Sequence, residues 1–127
     1  MAFTINKCGS LKISEAQFQR TCVDLLRSEH WYVRPAPKQA HLNRGCFGVL
    51  KDEPDLMTSH GGKTVWFELK TAIGKLSRGQ IAWHQRARLD GERVYVIRSI
   101  EQLRAAMRIL VCLDELRVKI QRAEERK

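Results

Sequence analysis

The run Thr64-Val65-Trp66-Phe67-Glu68-Leu69-Lys70 constrains this chain more than any other stretch, because its apolar positions recur with the period of a strand. Side chains alternate along an extended backbone, so Val65, Phe67 and Leu69 share one face while Thr64, Trp66, Glu68 and Lys70 share the other. Glu68 and Lys70 then point the same way, roughly 6.6 Å apart along the strand. Upstream lies Pro54-Asp55-Leu56, and the intervening Ser59-His60-Gly61-Gly62-Lys63 reads as a glycine turn. The two segments are expected to pair as an antiparallel hairpin that brings Asp55 beside Glu68. Adjacent carboxylates repel, and a bound cation is the usual relief. A hard divalent ion, magnesium or manganese, suits Asp55, Glu68 and the backbone carbonyl of Leu69. Lys70 would hold or help deprotonate an attacking water. The same Glu-x-Lys also suits a solvated ion pair on the polar face of a half-buried sheet.

Charge narrows the partners. With 127 residues the chain is expected to form a single domain, residues 1–127. Its formal charge of +9 and pI near 9.8 favour polyanions, nucleic acid first. Residues 99–127 carry 7 Lys/Arg against 5 Asp/Glu, so most of the excess belongs to the body before them. Cys8, Cys22, Cys46 and Cys112 follow no metal-ligand or paired spacing and read as free, mostly buried thiols in a reducing cytosol. Residues 1–13 are interrupted by Asn6, Lys7 and Gly9 and lack the apolar run of a signal peptide. No stretch is long enough to cross a membrane. A cytoplasmic protein without a membrane partner or a small-molecule cofactor is the expectation.

In chain order, a short arm precedes a first helix from about Ser14 to His30, opened by the capping box Ser14-Glu15-Ala16-Gln17 and buried along Phe18, Cys22, Leu25 and Leu26. Glu15 sits at the inward end of that stripe, and as an acid in a first turn it also suits the helix dipole. Trp31-Tyr32-Val33-Arg34 reads as a short strand stopped by Pro35 and Pro37. Residues 38–48 form a basic loop that either tracks a phosphate backbone or is plain surface; His41 within it is discounted as a ligand or base. Val49-Leu50-Lys51 begins a strand that continues at Asp55-Leu56-Met57, with Pro54 marking an edge or bulge. Ser77-Arg78-Gly79-Gln80 is a second capping box whose helix runs to about Leu89 and is ended by Gly91. Gln80 has a complete structural explanation there, and Trp83 reads as a packing residue rather than a base-stacking platform. Val94-Tyr95-Val96-Ile97 is apolar throughout and reads as a central strand. Ser99-Ile100-Glu101-Gln102 opens a last helix to residue 122 or beyond. Leu113, Leu116 and Ile120 extend its apolar surface, which suits either a homodimer interface or a helix lying back across the sheet.

The order of these pieces resembles the PD-(D/E)xK nuclease superfamily, and specifically its VRR-NUC (virus-type replication-repair nuclease) branch. The resemblance spans about Ser14 to Ser99. It rests on Ser14-Glu15-Ala16-Gln17-Phe18-Gln19, Pro54-Asp55-Leu56, Phe67-Glu68-Leu69-Lys70-Thr71, Gly74-Lys75-Leu76-Ser77-Arg78-Gly79-Gln80, Trp83, and Gly91 with Val94-Tyr95-Val96. It implies an α/β fold with a restriction-endonuclease-like core, in the order α-β-β-β-α-β with a mixed central sheet, over residues 14–99. Residues 100–127 would add a C-terminal helix that serves as a dimerisation element. Position by position, it implies that Asp55 and Glu68 ligate Mg2+ or Mn2+, that Lys70 positions the water, that Gln80 orients the site, and that Glu15 contributes from the first helix, through a second metal or a bound water. The chain departs from the family where Gly48 stands six residues before Pro54 with Lys51-Asp52-Glu53 between, which leaves Asp52 and Glu53 as substitute acids. The implied activity is DNA endonuclease, structure-selective on branched DNA such as Holliday junctions in replication, repair or recombination, by a homodimer. Lys38, Arg44, Lys75, Arg78, Arg86 and Arg88 would contact phosphates. A DNA-binding module with a vestigial site, or a restriction-type or RNA-directed nuclease, would share this sequence pattern, and so would a module of a larger protein assembly.

Overall fold

A seven-residue strand, β5 (Lys63–Leu69), holds the two halves of the molecule together. The computed structural model describes residues 3–5, 11–36 and 52–127. Within them β1 (Phe3–Ile5) and β2 (Leu11–Ile13) pair antiparallel, so a small hairpin stands where the sequence suggested only an arm. After α1 (Glu15–Ser28) come β3 (Tyr32–Pro35), β4 (Leu56–His60) and β5, then α2 (Arg78–Leu89), β6 (Arg93–Ile97) and α3 (Ile100–Glu125). The main sheet is mixed and ordered β3-β4-β5-β6, with β3-β4 and β4-β5 antiparallel and β5-β6 parallel. The parallel step requires a crossover, which α2 supplies. The expected order α-β-β-β-α-β, closed by a C-terminal helix, is present. Val49-Leu50-Lys51, His41, Lys38, Arg44, Cys8 and Cys46 lie outside the described residues.

The hairpin is tighter than the sequence suggested. Its strands run through His60 and resume at Lys63, leaving Gly61 and Gly62 as a two-residue turn with φ of 58° and 77°. Positive φ at both positions matches the strand twist, and glycine reaches it without steric cost. Leu56 pairs with Phe67, and the same register continued outward sets Asp55 opposite Glu68.

Three layers result. Cys22, Val23 and Leu26 of α1 and Leu103, Met107 and Leu110 of α3 bury themselves with Val33, Leu56, Val65, Phe67 and Ile97 on one face of the sheet. Helix α2 lies on the other face, where Trp66 and Glu68 point. Strand β6 is therefore not central. It is an edge among the described strands, and it is apolar because α2 and α3 both pack against it. Helix α3 lies back across the sheet as far as Asp114, whose carboxylate pairs with Lys63 Nζ beside the Gly61 turn. Beyond that point it leaves the body. Its exposed apolar residues Ile109, Leu113, Leu116 and Ile120 recur at the 4-3-4 spacing of a packing stripe. No described helix is long and apolar enough to cross a membrane.

The helix ends show how local signals act. Ser14 accepts from Gln17 N–H at 3.2 Å, but Gln17 Oε1 is buried without a partner among the described residues, so only half of that capping box forms. Helix α1 stops at Ser28, two residues short of the expected end, in a Schellman arrangement: Trp31 N–H reaches Leu26 O (2.9 Å) and His30 N–H reaches Arg27 O (3.0 Å). His30 takes the left-handed position with φ of 64°, while Trp31 and Leu26 meet in the core. Helix α2 ends with the same pair of bonds, but there Gly91 fills the left-handed position at φ 84°. Of the two described cysteines, Cys22 is buried and its thiol is pushed up to about 12 by that burial, whereas Cys112 is exposed.

A side chain in the left-handed region costs about 1–2 kcal/mol, with histidine among the better tolerated. His30→Gly is therefore expected to stabilise the protein by up to about 1 kcal/mol. Gly61→Ala should destabilise it by about 1–2 kcal/mol, since its new methyl would also stand 2.9 Å from Asp114 Oδ2. Urea unfolding of both variants beside wild type checks the opposite signs.

Candidate active site

Glu68 is placed by strand alternation. On β5 it points away from the apolar core, and α2 closes over it until it is only 2% exposed. A carboxylate removed from water needs compensating donors. Gln80 Nε2 donates to Glu68 Oε1 at 3.1 Å, and Lys70 Nζ lies 3.9 Å from the same oxygen. Gln80 is also the third residue of α2: its Oε1 accepts from Ser77 N–H (2.9 Å), while Ser77 Oγ accepts from Gln80 N–H (3.1 Å). The capping box read from the sequence is complete, and its side-chain amide serves the carboxylate as well.

Asp55 stands just before β4, and its Oδ2 accepts from Leu69 N–H at 2.8 Å. The carboxylate is thereby tied to the peptide that follows Glu68, which realises the expected juxtaposition. Lys70 sits one residue past the end of β5, with its N–H bonded to Ile97 O of β6 at 3.0 Å. The connection into α2 is held by Arg98, whose Nη1 donates to Thr71 O (2.8 Å) and Gly74 O (2.6 Å). Asp52 packs its carboxylate against Gly79 in the first turn of α2, where any β-carbon would collide with it. Burial raises the Glu53 carboxyl above its ordinary value, against the opposing pull of Arg34.

Two further residues contribute. Nothing in the sequence marks Arg98. His84 lies one turn past Gln80 on the same helix face and is 1% exposed, with Nε2 3.9 Å from Glu68 Oε2. Burial, reinforced by the Arg88 and Lys70 cations, pushes its imidazole below the ordinary histidine value, so it is neutral at neutral pH. Neither ring nitrogen has a hydrogen-bond partner among the described residues. Only its spacing four residues after Gln80, which puts both on one helix face, could have pointed to it.

The structure thus gathers Asp55, Glu68, Leu69, Lys70 and Gln80 at the C-terminal end of β5. Glu15 is exposed in the first turn of α1 and is not part of this hydrogen-bonded set. Lys75, Arg78, Arg86 and Arg88 are exposed, with Arg86 paired to Asp90 and Arg88 donating to Val94 O. Among the described residues no three acidic, histidine or cysteine side chains form a ready-made metal cage. Two carboxylates beside a backbone carbonyl nonetheless fit a hard cation that keeps several of its waters, as magnesium does.

No protein-family model and no curated protein matches the chain. Among solved structures, a VRR_NUC domain superposes with a TM-score of 0.59 at 23% identity, over 74% of this chain and 94% of that one. The fold of this chain is that of the VRR_NUC domain, which its element order and mixed sheet fit.

The double use of Gln80 can be separated by one substitution. Gln80→Glu keeps the oxygen that caps α2 but sets a second carboxylate against Glu68. The pair would share a raised pKa in the folded state, so stability is lost above the ordinary carboxylate range and regained as pH falls through the raised value. Relative to wild type, the variant is expected to be about 1–3 kcal/mol less stable at pH 7. The deficit should shrink toward pH 5 with helix content unchanged, as thermal and urea unfolding followed by circular dichroism would read.

Proposed function

We propose that this chain is a magnesium- or manganese-dependent DNA endonuclease acting on branched DNA. The observation that supports it is the convergence of Asp55, Glu68, Lys70 and Gln80 at one end of β5, on the fold of a VRR_NUC domain. Asp55, Glu68 and the Leu69 carbonyl are the ligands for the divalent ion. When bound, the ion supplies charge stabilisation at the phosphate under attack. Lys70 holds the attacking water through its ammonium group, whose distance from Glu68 keeps it at the site. Gln80 fixes the Glu68 carboxylate so that its oxygens present one orientation. Glu15 contributes from α1, reaching the site through a water or a second ion, and His84 backs Glu68 as a neutral wall. Lys38, Arg44, Lys75 and Arg78 bind phosphates; Arg86 and Arg88 join them once released from their partners on the protein.

The second part of the reading is a homodimer. The exposed stripe Ile109, Leu113, Leu116 and Ile120 supplies its contact, α3 against α3. Two sites related by a two-fold axis suit the symmetric strands of a four-way junction.

Labelled four-way junction, flap and linear duplex, incubated with magnesium, manganese or EDTA, test both parts. Wild type should place paired symmetric nicks in the junction with either metal. Asp55→Asn and Lys70→Ala should each lower the rate by about 10²–10⁴-fold without losing junction binding. Leu116→Glu should yield monomers in sedimentation and uncoupled single nicks. Junction binding by wild type with no cleavage in either metal would leave a DNA-binding module with a vestigial site. Sequence-dependent cutting of plain duplex, or cutting of RNA, would replace the branched-DNA substrate.

A further inference from the structure

On the same face of β5 as Glu68, two residues back, Trp66 meets Trp83 of α2 with ring centroids 5.0 Å apart and planes at 69°. The two indoles make a corner, and a cavity of about 220 Å³ opens beside it, lined by Trp66, Trp83, Arg86, Ala87, Asp90 and Glu92. Trp66 is held in place, because its Nε1 donates to Glu92 Oε2 at 3.3 Å. The lining is unusual for a chain of charge +9: Asp90 and Glu92 bring two carboxylates against one cation, Arg86, which pairs with Asp90. Carboxylates repel phosphate, but they accept from the exocyclic amino groups of bases, and aromatic faces stack on any base. The volume lies below that of drug-sized pockets and suits one ring system.

We propose that this corner is a slot for a single unpaired nucleobase bearing an exocyclic amine, cytosine or adenine in preference to thymine, on the strand held at Glu68. The inference rests on the nuclease reading and adds a device for it: a base can enter only where it is unpaired, so the slot selects branch points and frayed ends over continuous duplex. Trp66 supplies the ring that Glu92 fixes, Trp83 the second wall, and the acidic rim the preference for amines. Arg86 pairs with Asp90 at 3.2 Å, and its release onto a phosphate leaves the Asp90 carboxylate open to the base.

The test is binding by the full chain in EDTA, which removes cleavage from the readout. Fluorescence anisotropy would compare flap duplexes whose unpaired nucleotides are all cytosine, all thymine or all abasic. Wild type should bind the cytosine flap about tenfold tighter than the abasic one, with thymine between. Trp83→Ala should reduce the cytosine flap to the abasic level and leave the abasic affinity unchanged, Trp83→Phe should keep most of the difference, and Glu92→Gln should narrow the gap between cytosine and thymine. Tryptophan emission of wild type, which needs no variant to fold, should be quenched by the cytosine flap and not by the abasic one. Equal binding of all three flaps, or base-independent quenching, overturns the slot while leaving the nuclease reading intact. Failure to bind any of these DNAs removes both.

Discussion

The buried carboxylate of Glu68 is the constraint around which the site side of this molecule is arranged. An ion held in a protein interior loses several kcal/mol of hydration. That loss is tolerable only if its neighbours are fixed in place. The alternation of β5 sends Glu68 to the α2 face, α2 closes over it, and its neighbours answer to it: Gln80 donates and Lys70 approaches. The supports lie one step further out. Arg98 holds the connection from which α2 departs, and the Lys70 peptide is bonded to β6, so the charge sits in a frame drawn from three elements.

Much of this frame was legible in the sequence because its signals are local. Thr64–Lys70 alternates, Gly61-Gly62 can only be a turn between strands, and Ser77 with Gln80 spells a helix start. The juxtaposition of Asp55 and Glu68 follows from these three facts and a register. What was hidden depended on contacts between distant segments. His30 ends α1 in a position that usually announces itself as glycine, and it does so because Trp31 and Leu26 meet behind it in the core. The apolar run Val94–Ile97 looked central because an unbroken apolar strand is covered on both faces. Helices supply that cover here, and no further described strand lies beside it. His84 and Trp83 are adjacent in sequence yet part company, one toward Glu68 and the other toward Trp66, which only the placement of α2 over β5 decides.

The molecule also divides its two faces by kind of chemistry. The side bearing α1 and α3 is held by aliphatic and aromatic contacts, and the buried hydroxyl of Thr58 there donates to Val65 O across the hairpin. The α2 side collects the carboxylates, the imidazole and the indole pair. One sheet therefore keeps the apolar core apart from the carboxylates gathered beneath α2.

The amide of Gln80 carries one more consequence. A terminal carboxamide can usually be turned end for end at little cost, since both of its ends hydrogen-bond. Here Ser77 presents an N–H to one end and Glu68 presents an oxygen to the other. Reversal would set donor against donor and acceptor against acceptor. The side chain is thus a polarised link with a single direction, running from the backbone at the head of a helix to the carboxylate beneath it, and fraying of that helix and release of that carboxylate become one event.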